Sequence, residues 1–129
     1  NSEALIEANL FDWNRHHIAG SGKPGTSYEA RYNLILGHSN GHGFDMHGGR
    51  ARKDGTDIAG TWLHIHHNTF KMTNSWAILL TGIPEKYAKV HHNWFYHRNI
   101  KEAVDQYYGL EGNLFVYKNL LTPLKVFAP

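Results

Sequence analysis

LHIHHNTF (Leu63–Phe70) and AKVHHNWF (Ala88–Phe95) are one pattern written twice, 25 residues apart. In each, apolar residues stand five and three places before an Asn and two places after it: Leu63, Ile65 and Phe70 around Asn68, and Ala88, Val90 and Phe95 around Asn93. The same frame fits ALIEANLF at Asn9, YEARYNLI at Asn33 and LFVYKNLL at Asn119, so the five asparagines lie 24, 35, 25 and 26 residues apart. One unit is therefore about two dozen residues, and the long second spacing leaves room for an insertion of about ten. The column three before the Asn holds Ile6, Ala30, Ile65, Val90 and Val116, and the column two after it holds Phe11, Ile35, Phe70, Phe95 and Leu121. Ala4, Tyr28, Leu63, Ala88 and Leu114 fill the column five before.

Alternation with period 2 before the Asn predicts a short strand, and the Asn then turns the chain into a second strand. A third strand is predicted at HIAGSG, GFDMHG, AILLTG and AVDQYY, with Ile18, Phe44, Ile78 and Val104 pointing inward. Three short strands per two dozen residues specify an all-β, right-handed parallel β-helix of about five coils, in which the turn asparagines stack as a ladder. A leucine-rich repeat lacks its LxxLxLxxN signature here, and a propeller blade would need about 40 residues. Residues 1–129 read as one β-helix domain with an inserted loop at about 48–61. The pattern starts inside a strand and no amphipathic capping helix accompanies it, so the chain is expected to be a fragment whose partner is the remainder of the same β-helix. The tail LTPLKVFAP is expected to close part of one end.

Composition narrows the classes. The 129 residues carry 13 Lys+Arg, 11 Asp+Glu, 11 His and no Cys, with 41% hydrophobic residues. Such a chain has enough apolar side chains for a core, which argues against disorder. Without Cys there is no disulfide scaffold and no thiolate zinc site. A formal net charge of +2 with no long basic block argues against nucleic acid as partner. No window approaches the ~18 apolar residues of a spanning helix, and the opening NSEALIEANLFDWN lacks the regions of a signal peptide.

Outward columns of a parallel β-helix bring residues one coil apart to within about 5 Å, so a site is expected on such a column. On the third strand these positions include His17, Asp45, His47, Asp105 and Tyr107, with Arg15, His16, His38 and His42 on the preceding turns. An Asp beside a His can orient it as a general base, while Arg15 could neutralise a substrate carboxylate or a developing enolate. His17, Asp45, His47 and Arg15 are thus the expected catalytic group. Asp45 and Asp105, two coils apart in one column, are the alternative pair for inverting hydrolysis, which uses carboxyl groups ~6.5 to 9.5 Å apart. His42, Arg50 and Arg52 beside and within the inserted loop, and Tyr107, are the expected substrate contacts.

A second polar column on the first strand stacks Glu7, Arg31, His66, His91 and Tyr117 beside Glu29, His64 and Lys89. His64, His66 and His91 could hold a metal, although Lys89 and Arg31 would oppose a cation, and a mixed-charge ladder is the plainer reading. No cofactor is expected; calcium at Asp54 and Asp57 of the inserted loop, or another divalent ion, is the alternative. Trp13, Trp62, Trp76 and Trp94 are candidate platforms for sugar rings.

NLFDWNRHHIAGSGKPGTSYEARYN (9–33), HGFDMHGG (42–49) and DIAGTWLHIHHNTF (57–70) resemble the β-helix region of the disaggregatases and disaggregatase-related surface proteins of methanogenic archaea, within the pectin-lyase-like superfamily. The resemblance covers most of the chain, and RHHIAGSG and FDMHGG are its more specific segments. It implies an extracellular or cell-surface enzyme, a lyase or hydrolase, that degrades an acidic heteropolysaccharide. A non-catalytic carbohydrate-binding or structural β-helix module is the alternative, because one fold hosts many functions.

Overall fold

A computed structural model describes residues 1–121; the expectation for the tail falls on 122–129, outside them. Coil one comprises β1 (Ser2–Glu7), β2 (Leu10–Phe11) and β3 (Ile18–Gly20), and coil two comprises β4 (Thr26–Arg31), β5 (Leu34–Ile35) and β6 (Phe44–Met46). After the short helix α1 (Gly49–Arg52), coil three follows as β7 (Trp62–His66), β8 (Thr69–Phe70) and β9 (Ile78–Leu80). Coil four is β10 (Tyr87–His91), β11 (Trp94–Phe95), helix α2 (Ile100–Ala103) and β12 (Val104–Gln106), and coil five is β13 (Leu114–Tyr117) with β14 (Leu120–Leu121). Every strand pairing is parallel, in three sheets ordered β1-β4-β7-β10-β13, β2-β5-β8-β11-β14 and β3-β6-β9-β12. The chain is a parallel β-helix of five coils, as the repeat requires.

The register is the one that the columns predict. Ala30 pairs with Ile65 and Ile65 with Val90, Ile35 with Phe70 and Phe70 with Phe95, and Phe44 with Ile78 and Ile78 with Val104. These side chains fill the prism, where Phe44 meets Phe70 edge to face at 4.9 Å between ring centroids and Phe70 stacks on Phe95 at 5.1 Å. Burial relaxes towards the two ends, where Ile6, Phe11, Val116 and Leu121 are only partly covered.

The asparagine ladder is continuous over the five coils. Each Nδ2 donates to the next Oδ1: Asn9 to Asn33 at 3.1 Å, Asn33 to Asn68 at 2.9 Å, Asn68 to Asn93 at 3.0 Å and Asn93 to Asn119 at 3.1 Å. That oxygen also accepts the backbone N–H of the preceding Asn, and Nδ2 donates again to a carbonyl one coil back. The turn itself is made by the residue before the Asn. Ala8, Tyr32, His67, His92 and Lys118 all take φ between 54° and 58°, a left-handed conformation that costs an L-residue ~1–2 kcal/mol, so the ladder offsets strain as well as chain entropy.

Two features depart from the simple repeat. Helix α2 precedes β12, capped by Asn99 Oδ1, which accepts from Glu102 N at 2.9 Å. The inserted segment leaves β6 through Gly48 and Gly49; a Cβ at Gly48 would overlap the backbone of Thr81 in the next coil, and one at Gly49 the backbone of Thr56 within the loop, so glycine is needed at both close approaches.

Candidate functional site

Asp45, at the centre of β6, is the hub of the candidate site. Tyr28, on the inner face of β4, reaches through the core to donate its hydroxyl to the Asp45 carbonyl at 3.0 Å, which holds this strand from inside. The carboxylate faces the other way. Its Oδ1 accepts from Gly20 N at 3.3 Å, and its Oδ2 lies 2.9 Å from His42 Nε2 and 3.1 Å from His47 Nε2. Asp45 is only 1% exposed, whereas the His47 side chain is 40% exposed. A buried carboxylate thus clamps two imidazoles and leaves one open to solvent. In the tautomer that carries its proton on Nε2, beside Asp45, His47 presents Nδ1 as an open lone pair.

His42 is fixed from the next coil. His16 stacks on it at 4.1 Å between centroids and brings Nδ1 2.9 Å from the His42 carbonyl. A Cβ at position 41 would come 2.7 Å from the His16 ring, so Gly41 makes room for this stack. Arg15 is exposed on the same turn. Further along this edge of the prism, Trp76, Lys101, Glu102 and Asp105 line a cleft of about 760 Å³, within the ~300–1,000 Å³ common for ligand sites. Asp105 is in register with Leu79, and Leu79 with Asp45, so hub and cleft belong to one face.

His17 is the departure from the expected column. It precedes the strand proper, packs against Phe11 at 5.7 Å between centroids and is 9% exposed, so it points into the prism and not onto the face of Asp45. Asn14 Nδ2 lies 3.1 Å from its Nδ1, while its Nε2 finds no partner among the described residues. Burial holds the His17 pKa below the ordinary imidazole value. Asp105 keeps an ion pair with Lys101 at 3.2 Å, and the buried Leu79 lies between it and Asp45.

The expected substrate contacts divide. Arg52 is engaged within the protein: Nη1 donates to the carbonyls of Ser21 and His47, each at 2.9 Å, Nη2 to that of Ile58 at 2.8 Å, and Nε to Asp54 at 2.9 Å. Arg50 pairs with Asp57 at 2.8 Å and lies 5.4 Å from the Tyr108 ring centroid, yet remains half-exposed. Asp54 and Asp57, the calcium alternative, are therefore turned to arginines; the Thr56 hydroxyl and amide with Arg52 bring the Asp54 pKa down to about 2. Tyr107 is exposed and meets Trp76 edge-on at 6.0 Å, at the cleft. Trp13 is the most open aromatic among the described residues, 76% exposed and stacked on His38 at 3.8 Å.

On the outer face of the first sheet, His64 Nε2 meets His91 Nε2 at 2.7 Å, and Glu29 Oε2 lies 2.6 Å from His66 Nε2 and 3.8 Å from His64 Nδ1. Partial burial and neighbouring imidazoles lower the pKa of His64, and bring that of His91 to about 4. Among the described residues two groups have the spacing to hold a metal ion: Glu29 with His64 and His66, and His16 with His42 and Asp45. In the sequence Glu29 stands in the polar column with no ligand role marked out for it. The pairing of Glu29 with His64 across the insertion is the signal that assigns one. The cleft around Trp76 and Lys101 carries no sequence signature, because α2 shapes it.

No protein-family model matches the chain, and neither a curated protein nor a solved structure is detectably similar to it.

Proposed function

We propose that the protein cleaves an acidic polysaccharide at the extracellular or cell-surface face of the cell, with His47 as general base and Asp45 as the residue that orients it. One observation carries this reading: a carboxylate 1% exposed, hydrogen-bonded to His42 and 3.1 Å from the ring of His47, which is open to solvent. In a β-elimination, His47 Nδ1 takes the proton beside a uronate carboxylate, the electrons form the new double bond, and the glycosidic oxygen leaves and takes up a proton from water. Asp45 stabilises the imidazolium that forms, and Arg15 is suited to meet the substrate carboxylate. The cleft with Lys101 and Trp76 on the same face fits neighbouring sugar units of an anionic chain. The fold alone selects no reaction. The resemblance to disaggregatases supports this substrate class.

A second reading, carbohydrate binding without cleavage, is favoured by Trp13, whose indole lies flat on His38 and open to solvent as a sugar platform would. Incubation of the protein and of His47→Ala with uronate-containing polysaccharides separates the two. Chain shortening with ultraviolet-absorbing unsaturated ends, lost in the variant, supports elimination. Retention on the polysaccharide without shortening, reduced by Trp13→Ala, supports the binding module.

A further inference from the structure

The histidine face of the first sheet is independent of the site around Asp45 and stands or falls without it. We propose that Glu29 Oε2, His64 Nδ1 and His66 Nε2 form a three-ligand site for a divalent transition-metal ion of the zinc class, with His91 and His67 holding the two ligand imidazoles in place.

The three atoms converge from β4 and β7, and all lie within 4.8 Å of one another. Metal–ligand bonds of ~2.0–2.2 Å in a tetrahedral site set the ligands about 3.3 Å apart. Here Glu29 Oε2 stands 2.6 Å from His66 Nε2 and 3.8 Å from His64 Nδ1, so one contact opens and the other closes by less than about 1 Å, within rotamer adjustment.

The second ring nitrogens supply the stronger argument. A neutral imidazole has one donor and one acceptor nitrogen, and a ligand imidazole ordinarily donates its other N–H to a fixed acceptor. His64 Nε2 has His91 Nε2 at 2.7 Å, His66 Nδ1 has His67 Nδ1 at 2.7 Å, and His91 Nδ1 has His92 Nδ1 at 2.7 Å. When His64 and His66 donate along these contacts, both remaining lone pairs face the same carboxylate oxygen, and a cation placed among the three satisfies all of them. His66 stacks parallel to His91 at 5.2 Å, and His91 to Tyr117 at 5.0 Å, which stiffens the set.

Of the two cations beside the site, one is turned aside and the other competes for the ligand carboxylate. Lys89 Nζ lies over the Tyr87 ring, 4.6 Å from its centroid, whereas Arg31, bound through Nε to Glu7 at 2.7 Å, also holds Nη1 3.5 Å from Glu29 Oε2, an ion pair that a bound metal replaces. Two imidazoles and one carboxylate favour zinc, cobalt or nickel over calcium and magnesium. In the other group with metal spacing Asp45 is 1% exposed and both its oxygens accept hydrogen bonds, from Gly20 N and His42 Nε2, whereas Glu29 is a quarter exposed and need give up only its contacts to His66 and Arg31.

The test is calorimetric titration of the untagged chain with zinc chloride, with cobalt absorption as the report of ligand geometry. One equivalent bound with micromolar or tighter affinity is expected, unaffected by excess calcium. Glu29→Gln/His66→Ala abolishes it, and His91→Ala weakens it about 10- to 100-fold while the cobalt spectrum keeps its form. Arg31→Gln, which removes the competing cation, tightens it. Zinc-dependent shifts of the His64 and His66 ring resonances in the wild-type protein serve if a variant fails to fold. No saturable zinc binding, no shift of those resonances, or binding that survives the Glu29/His66 variant but is lost in His16→Ala, overturns the proposal.

Discussion

Asp45 Oδ2 lies 3.1 Å from His47 Nε2, with the carboxylate buried and the imidazole open. An amide at position 45 would offer an N–H to His47, turn its Nε2 into the acceptor and move the proton to Nδ1, so the outward lone pair would be lost. Asp45→Asn should therefore lower any cleavage rate about 10²- to 10⁴-fold. Stability should fall by about 1–3 kcal/mol, since the amide nitrogen in the place of Oδ2 no longer accepts from His42. The ¹⁵N shifts of His47 test the tautomer without an assay: wild type should carry its proton on Nε2 and the variant on Nδ1.

Asn68 is the buried middle rung of the ladder, and four neighbours depend on it: Asn33 N and Nδ2 donate to its oxygen, and its amide serves Ala30, His66 and Asn93. Asn68→Ala leaves several buried groups unmet at ~1–3 kcal/mol each, so a loss of about 3–5 kcal/mol is expected after relaxation. Asn9→Ala, at the exposed end, should cost about 1 kcal/mol or less. Urea midpoints of the two variants measure the gradient; equal losses would mean that the rungs act independently of burial.

Strand positions, inward columns and ladder were legible in the sequence because each coil repeats the same burial. What repeats is packing, and the candidate site does not repeat. Asp45 occurs where Ala19 and Leu79 stand in the neighbouring coils, so its column was readable but its burial beneath His42 and His47 was not. His17 misleads for a physical reason: it lies one place before Ile18, but the chain is still turning there, and alternation does not hold outside a strand. Glu29 escaped notice as a ligand because the insertion stretches its spacing to His64, while in space the two are register partners.

Arg52 joins the inserted loop to the site. Its guanidinium meets three carbonyls, among them that of His47, and lysine cannot reproduce that fork. Arg52→Lys should cost about 1–3 kcal/mol and loosen residues 48–61. Hydrogen exchange should speed there and at His47 while β7 and β10 keep their protection. Unchanged exchange over the loop would leave Arg52 available for substrate instead.

His17 and His97 make the fold sensitive to acid. Each has a ring nitrogen without a partner among the described residues, and burial lowers both pKa values below the ordinary imidazole value. As pH falls past ~6.5, the unfolded chain takes up protons that the folded histidines refuse. Their contribution is therefore complete above that pH and is lost as pH drops towards the folded values. His97 Nε2 donates to Ser75 O at 2.6 Å, which fixes one tautomer and leaves Nδ1 to be protonated in the core, where water cannot solvate the charge. Urea midpoints at about pH 7.5 and about pH 5 should differ more for wild type than for His17→Leu/His97→Gln. The variant starts lower, having lost the Asn14 contact, so the two proteins should converge on acidification. A constant gap between them would assign the acid sensitivity to the histidines of the first sheet instead.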